Sequence, residues 1–350
     1  MAELETLSIK RLQADDSSTA ARWDAFVMAC PQATFFHRAG WQRLIERAFK
    51  HDTYFLYAEQ QGRIVGVLPL GHVSSWLFGN SLIGLPFAVY GGVAAETDAA
   101  VQALEHEAQS LARTLDVGYL ELRNSRLRHE DWPTQDLYVT FKLDIPEVLD
   151  DKMLCIPQKR RNMVRKAQKL GLRVVVGDSV ENFYPVFSEN SRDHGTPVIQ
   201  KAYFDQIKRV FGDDCEILSI YTSGGECISS IYCFYFRNEV LAYYAGETRE
   251  AKHCAANDLK YWSLMKRAAE RGCRVFDLGR SKKGTGSFEF KRLWGFVPQQ
   301  LYYQYDLIGR ADIPQNNPMN KKYRLVIAVW KRLPLVVTEA IGPMIVRNLS

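Results

Sequence analysis

The segment VLAYYAGETREAKHCAANDLKYWSLMKRAAERGCRVFDLGRS, residues 240–281, decides how this chain is read. Its start, Val240–Gly246, follows the turn Arg237-Asn238-Glu239 and is apolar and aromatic, which predicts a strand. ETREAKHCAA, residues 247–256, has no apolar period and reads as an irregular loop. Asn257 then caps a helix ending at Gly272, with Lys266, Arg267 and Arg271 where positive charge suits the helix dipole. Leu259, Trp262, Met265 and Ala269 form a core-facing stripe. Val275–Leu278 reads as the next strand. A loop opening directly into a helix presents unpaired N–H groups, which suit an anion such as a phosphate.

Upstream, Cys215–Thr222 and Cys227–Phe236 read as strands around Ser223-Gly224-Gly225. The first half of the chain runs in the same order. Helices are expected over 22–29 and Ala39–Phe49, and a hairpin joins Tyr54–Glu59 to Arg63–Leu70 through Gln60-Gln61-Gly62. Thr97 or Asp98 caps a helix running to about Asp116, and Tyr119–Arg123 alternates as a strand. Residues 119–125 (YLELRNS) align without gaps on 275–281 (VFDLGRS), an offset of 156, and Tyr90-Gly91-Gly92 aligns on Tyr244-Ala245-Gly246 at 154. These matches predict an internal duplication. With a boundary in Asp144–Pro157, the expected organisation is domain one over 1–150, domain two over 151–312 and a tail over 313–350. The tail begins as a loop, IPQNNPMNKKYR, and Leu325–Val346 is interrupted by Pro334 and Pro343. It reads as a helix packed across the domains, the alternative being a basic amphipathic patch on an anionic membrane surface.

At 350 residues, 47% apolar and 24% charged, the composition is globular, which excludes a disordered or membrane-spanning chain. No run of eighteen apolar residues occurs. The net charge of +5 permits an anionic partner without demanding one. The surplus is concentrated in 158–173 (QKRRNMVRKAQKLGLR), which holds no acid. Seven scattered cysteines show no CxxC pair and no metal-ligand spacing, so reduced and mostly buried thiols and no metal site are expected. With no apolar leader visible in the first residues, the expected location is the cytoplasm, the alternative being the periphery of the inner membrane.

The stretch KRAAERGCRVFDLGRSKKGTGSFEFKRLWGF (266–296) joins a small-residue helix, a Gly, a strand ending in Asp-x-Gly and an aromatic-Lys element before Gly-Phe. In this it resembles the FemAB family of tandem N-acetyltransferase-like (GNAT) proteins. RRNMVRKAQKLGL (160–172) resembles that family's second-domain opening. TFFHRAGW (34–41) and GVLPLGHVSSWLFGNSLIGLPFAVYGGV (66–93) resemble the FemAB-like proteins of exosortase/PEP-CTERM exopolysaccharide systems. The resemblance spans about residues 20–345 and implies a mixed α/β fold of two tandem GNAT-like domains. The helical-hairpin arm that some members insert in the second domain has no counterpart here.

The implied activity is transfer of an aminoacyl or acyl group to an amine of a cell-envelope or exopolysaccharide precursor. The donor, aminoacyl-tRNA or acyl-CoA, is a co-substrate, and no cofactor is implied. Lys291 matches the family's lysine at the acyl-donor site, where it pairs with phosphate or with the developing oxyanion; otherwise it is a surface lysine on an edge strand. Arg249, Asn257, Arg280 and Lys283 are the expected donor-phosphate residues, although Ala255-Ala256 stand where an acyl-CoA loop would carry glycine. Lys282 and Lys283 also read as a solvated basic turn. Arg161 and Arg165, with Arg160 and Lys166, either bind an anionic acceptor or RNA backbone, or form a solvated helix face. Arg192–Pro197 matches a loop bordering the family's substrate groove. Within it Thr196 is an expected acceptor contact, and His194 is either the base for the attacking amine or an incidental loop histidine. Tyr244 is the remaining acceptor contact; strand alternation lets at most one of Tyr243 and Tyr244 line the site. His37 and Trp41 read as core. Two rivals stand beside this reading: an acyl-CoA-dependent N-acyltransferase, and a non-catalytic RNA- or membrane-associated scaffold.

Overall fold

A computed structural model describes residues 7–75, 79–150, 152–313 and 321–349, without side-chain detail for 321–324. The strands are β1 (Ser8–Arg11), β2 (Asp52–Gln60), β3 (Arg63–Ser75), β4 (Gly79–Gly84), β5 (Ala94–Ala95), β6 (Tyr119–Asn124), β7 (Thr134–Gln135), β8 (Tyr138–Asp144), β9 (Arg173–Val176), β10 (Cys215–Tyr221), β11 (Cys227–Phe236), β12 (Glu239–Glu247), β13 (Val275–Asp277), β14 (Ser281–Lys282), β15 (Val297–Gln300) and β16 (Tyr302–Leu307). The helices are α1 (Ser17–Ala29), α2 (Gly40–Phe49), α3 (Asp98–Thr114), α4 (Gln158–Lys169), α5 (Val180–His194), α6 (Lys201–Phe211), α7 (Arg249–Cys254), α8 (Ala256–Glu270), α9 (Gly286–Leu293), α10 (Lys321–Trp330) and α11 (Leu335–Val346).

The described residues fall into two compact units. One lies within Met1–Tyr138, Gln300–Gln315 and Arg347–Ser350, the other within Val139–Gln299 and Asn316–Val346. The first unit holds a sheet in the order β1-β2-β3-β4-β6-β16-β7, with β5 beside β3. The β2–β3 hairpin turns at Gln61 (φ 53°) and Gly62 (φ 73°), the left-handed pair that matches strand twist. Thr97 caps α3 by accepting the Ala100 N–H. That helix lays Ala100, Leu104 and Ala108 on Leu56, Leu68, Leu82 and Leu120 of the sheet. It also connects β4 to β6, which run parallel over Ser81–Ile83 and Tyr119–Glu121.

The second unit holds a sheet in the order β14-β8-β13-β12-β11-β10-β9, with β15 beside β8. Period-two alternation divides its faces. Ile231, Cys233 and Tyr235 of β11 join the core under α4 and α8. Tyr232 and Phe234 face the other way, where Phe183 of α5 packs edge-on and Phe204 of α6 packs tilted against Tyr232. Strands β12 and β13 are parallel and are bridged by α8, as β4 and β6 are by α3.

The pairing tests the two internal matches separately. Tyr119 sits opposite Ser81 and Val275 opposite Glu239, so residues 119–125 and 275–281 occupy equivalent strands. Tyr244–Gly246 lie within β12, whereas Tyr90–Gly92 follow β4 outside any strand. This second match is a local likeness without structural equivalence.

Each sheet also takes a strand from across the sequence. β8 follows the first unit's strands yet pairs with β13, and β16 follows the second unit's strands yet pairs with β6. The expected tail loop falls largely on 314–320, outside the described residues. Beyond it lie two helices, with Pro334 at the break and Pro343 inside α11. No described helix is long and apolar enough to cross a membrane.

Candidate functional site

In the second unit β12 and β13 pair only over Glu239–Leu241 and Val275–Asp277, so β12 runs on to Glu247 without this neighbour. A bulge at Tyr243 bends it there: Tyr232 opposes Tyr244, and Cys233 opposes Ala242. The carboxyl ends of diverging parallel strands form a crevice, the usual place for a ligand in an open α/β sheet.

The segment leaving β12 is not an irregular loop. Arg249–Cys254 form α7, and Ala255 at φ 57° redirects the chain into α8. Ala255 therefore adopts the left-handed conformation that glycine accepts at lower cost. Asn257 does not cap α8. The helix begins at Ala256 with no side-chain cap, and Asn257 sits in its first turn with a buried Oδ1 that has no hydrogen-bond partner.

Basic residues surround this junction. Lys166 of α4 donates to the His253 carbonyl of α7 at 2.9 Å, and the same helix carries half-buried Arg161 and exposed Arg165. Arg165 itself donates to the Lys152 carbonyl at 3.3 Å. Arg160 is committed elsewhere, in a 3.0 Å ion pair with Asp258 at which both side chains are buried. This corrects its placement among ligand-binding arginines. Burial pushes the Asp258 carboxyl up, and Arg160 opposes that shift.

Residues 192–194 are the last turn of α5 and not a loop; Gly195 ends the helix at φ 80°. His194 is exposed, and its Nδ1 lies 2.8 Å from the Asn190 carbonyl. That contact makes Nδ1 the protonated nitrogen and leaves a lone pair on Nε2. Thr196, also exposed, follows the helix end. Asp193 accepts from Arg249 at 3.0 Å and from Arg192 at 2.9 Å, tying the end of α5 to α7. Burial pushes the Asp193 carboxyl up, but the hydrogen bonds from Arg249 and Arg192 hold it below the usual range.

Tyr244 is turned away from the crevice. It is buried against α5 and α6, with its hydroxyl 2.9 Å from that of Tyr203. Alternation does not send Tyr243 to the opposite side, because the bulge breaks the period; both rings lie near Phe234, at 5.5 and 6.3 Å.

At the end of β13, Asp277 is fully buried. Its Oδ1 accepts the Gly279 N–H at 2.6 Å and the Thr140 hydroxyl at 2.8 Å. Gly279 has φ 65°, which explains the glycine of Asp-x-Gly. Lys291 lies on helix α9 and not on an edge strand. Thr285 caps that helix, and the Lys291 side chain is buried. Its Nζ donates to the carbonyls of Leu278 (2.6 Å), Gly279 (2.8 Å) and Arg280 (3.1 Å). Three acceptors use all three ammonium protons, so contact with a phosphate or oxyanion would require exchanging one of these bonds. Burial pushes Lys291 down to about 7, with Asp277 opposing and Arg280 adding to the shift. Arg280 and Lys283 are exposed just past this turn.

Lys260 escaped the sequence reading. It falls between the stripe positions of α8, yet α8 is buried on most of its circumference and Lys260 is enclosed, donating to the Gly246 carbonyl at 3.2 Å. Burial pushes it down to about 8, against Glu247 and Cys227.

Residues 158–292, from the start of α4 into α9, match the family model described as "Acetyltransferase (GNAT) domain". The chain is similar to a crystal structure of FemX, with a TM-score of 0.65 and 14% identity over 86% of this chain and 98% of that one. A tandem GNAT protein from the clavulanic acid biosynthesis pathway is similar at a TM-score of 0.53 and 14% identity, over 88% of this chain and 100% of the other. L-PGS from Bacillus licheniformis follows at 0.54 and 13%, over 91% and 98%. No curated protein sequence matches the chain. The fold is mixed α/β, two sheets in tandem GNAT-like domains.

Proposed function

We propose that this protein is an acyltransferase moving an aminoacyl or acyl group onto an amine of a cell-envelope or exopolysaccharide precursor. The observation that carries the reading is the end of the β12–β13 pairing at Leu241 and Asp277, with the uncapped start of α8 and basic residues following both strands. Donor phosphates would be held by Arg249, Arg280 and Lys283, with Asn257 in the first turn of α8 donating its side-chain amide N–H. Lys291 acts as a positioning residue that fixes the turn presenting Arg280.

A neutral amine attacks the acyl carbonyl, the donor's ester oxygen or thioester sulfur leaves with the displaced electron pair, and His194 Nε2 takes the amine proton and passes it to that leaving atom. The basic helix α4, with Arg161 and Arg165 and tied to α7 through Lys166, favours an extended polyanion, and hence charged tRNA over acyl-CoA. Thr196, at the end of α5 beside His194, is the proposed acceptor contact.

The tail supports contact with an anionic membrane surface, where a lipid-linked acceptor would lie. Helix α11 turns Thr338, Gly342 and Val346 inward and leaves Val336, Val337, Ile341 and Met344 exposed, the reverse of a helix made for a protein core. Leu325, Val326 and Val329 of α10 are exposed as well, with exposed Lys331 and Arg332 between the helices.

The deciding experiment is a titration of the full chain with acetyl-CoA, charged tRNA and uncharged tRNA side by side. Charged tRNA alone binding, with affinity falling steeply in salt, is the expected result. Acetyl-CoA binding alone would move the donor assignment to a CoA thioester. Binding of neither would remove the enzyme reading.

A further inference from the structure

We propose that the first unit carries its own oxyanion-binding site, in an open pocket past the end of β6 lined by Gln32, Arg126 and Arg128. The proposal is independent of which donor the second unit uses.

Some of the cavity wall is structural. His37 accepts the Thr34 N–H on Nδ1 at 3.0 Å, so its Nε2 carries the proton donated to the Gly92 carbonyl at 2.9 Å. Arg123 is buried, paired with Glu121 at 2.7 Å and bonded to the Ala88 carbonyl at 2.6 Å. These two side chains are consumed in holding the segment around Ala88 and Gly92.

Arg126 and Arg128 are differently placed. Both converge on one neutral acceptor, the Gln32 Oε1, at 3.4 and 3.3 Å. Among the described residues no carboxylate forms an ion pair with either. Glu105, which acts on Arg128 through space, faces His129 Nε2 at 3.2 Å. Burial pushes the Arg128 guanidinium down, Glu105 opposes this and Arg126 adds to it. Arg128 also donates to the Val93 carbonyl at 3.0 Å, so among the described residues the direct acceptors of the two guanidinium groups are neutral oxygens, and the like charges repel each other. An oxyanion between them would turn the repulsion into two charge-assisted forks.

The loop holding them is built and not slack. Gln304, fully buried on β16, accepts the backbone N–H of Arg128 at 2.9 Å and the Asn124 amide at 3.2 Å, and donates to the His129 carbonyl at 2.6 Å. The position in the fold repeats as well. β4 and β6 are the first unit's parallel pair, and Arg126 aligns at the offset of 156 on Lys282. Each unit thus sets cations just beyond the carboxyl end of its second parallel strand, where an open sheet presents a ligand crevice. A phosphate or carboxylate head offers the paired oxygens that two such guanidinium forks take.

The test is calorimetric titration of the full chain with inorganic pyrophosphate and, separately, malonate, at constant ionic strength set with chloride. Each is repeated on Arg126→Gln/Arg128→Gln and on Arg249→Gln/Arg280→Gln. The expected result is a site lost or weakened by roughly tenfold or more in the first variant and kept in the second. The unliganded thermal midpoint should be unchanged in both. Tighter pyrophosphate binding assigns a phosphorylated ligand, and tighter malonate binding a carboxylate. Arg126→Lys/Arg128→Lys should retain part of the affinity, because charge remains while the fork geometry is lost. Unchanged affinity when Arg126→Gln/Arg128→Gln is added to the Arg249→Gln/Arg280→Gln protein, or no binding of either anion at millimolar concentration, would overturn the proposal.

Discussion

Lys291 Nζ lies 2.8 Å from the carbonyl oxygen of Gly279, whose N–H is held by Asp277 at 2.6 Å. The Asp-x-Gly and Phe-Lys elements, separate in sequence, are therefore two jaws of one clamp on the turn after β13. Lys291→Met should strand three carbonyls and cost roughly 1–3 kcal/mol, read as a lower midpoint in urea. Lys291→Arg keeps donors and should recover part of both stability and donor KM. A methionine variant with unchanged stability would mean that the clamp carries no load.

Arg160 and Asp258 make the opposite kind of prediction. Breaking the pair with Arg160→Met should cost about 3–5 kcal/mol, because Asp258 is left charged and buried. The double variant Arg160→Met/Asp258→Leu should recover much of this. If Arg160→Met instead weakens only ligand binding, the arginine belongs to the site.

Lys260 gives a pH signature. Its folded value near 8 lies below the ordinary 10.5, so between those values the unfolded chain holds a proton the folded chain has released. Stability from this group therefore rises with pH across about 8 to 10.5, and the cost of burying the charge is fully present below 8. Lys260→Met should be more stable than the parent at pH 7 by about 1–3 kcal/mol, and the gap should close towards pH 10. Thermal unfolding at both pH values measures it; a pH-independent gap would contradict the assignment.

For the tail, Val336→Glu/Met344→Glu should abolish flotation with phosphatidylglycerol vesicles while leaving the thermal midpoint within a degree or so, since both side chains are exposed. Vesicles of phosphatidylcholine alone should capture little of the parent protein. Equal capture by both compositions would remove Lys331 and Arg332 from the contact.

Ala255 offers a stability gain. Glycine there relieves a left-handed residue, and Ala255→Gly should stabilise the chain by roughly 0.5–1 kcal/mol after the entropy of the unfolded state is counted. A loss of stability would show that the Ala255 methyl, buried in the core, matters more than the backbone angle.

What could be read in the sequence was local. Gln61-Gly62 and Thr97 carry their turn and cap chemistry within a few residues, and the β10–β11–β12 meander follows from its apolar runs and turns. Lys291 misled because Phe288-Glu289-Phe290 alternates like a strand, whereas Thr285 starts a helix whose half-buried Phe288 and Phe290 pack on the core. Tyr244 misled because one extra residue in β12 cancels the alternation on which the face was reasoned. Lys260 was missed because a helix covered on most sides has no stripe to read. The Arg126–Gln32–Arg128 cluster depends on a contact across more than ninety residues, and no periodicity carries such a signal.

The two traded strands, β8 and β16, bear on how such a gene can be cut. A fragment ending anywhere between them would leave β6 without its antiparallel neighbour, and the complementary fragment would carry a surplus strand with nothing to cover. Bare β6 would be a template for any extended segment, including another copy's. The halves should consequently be insoluble when expressed apart and should complement each other when expressed together, behaving as a split protein whose two fragments exchange their closing strands.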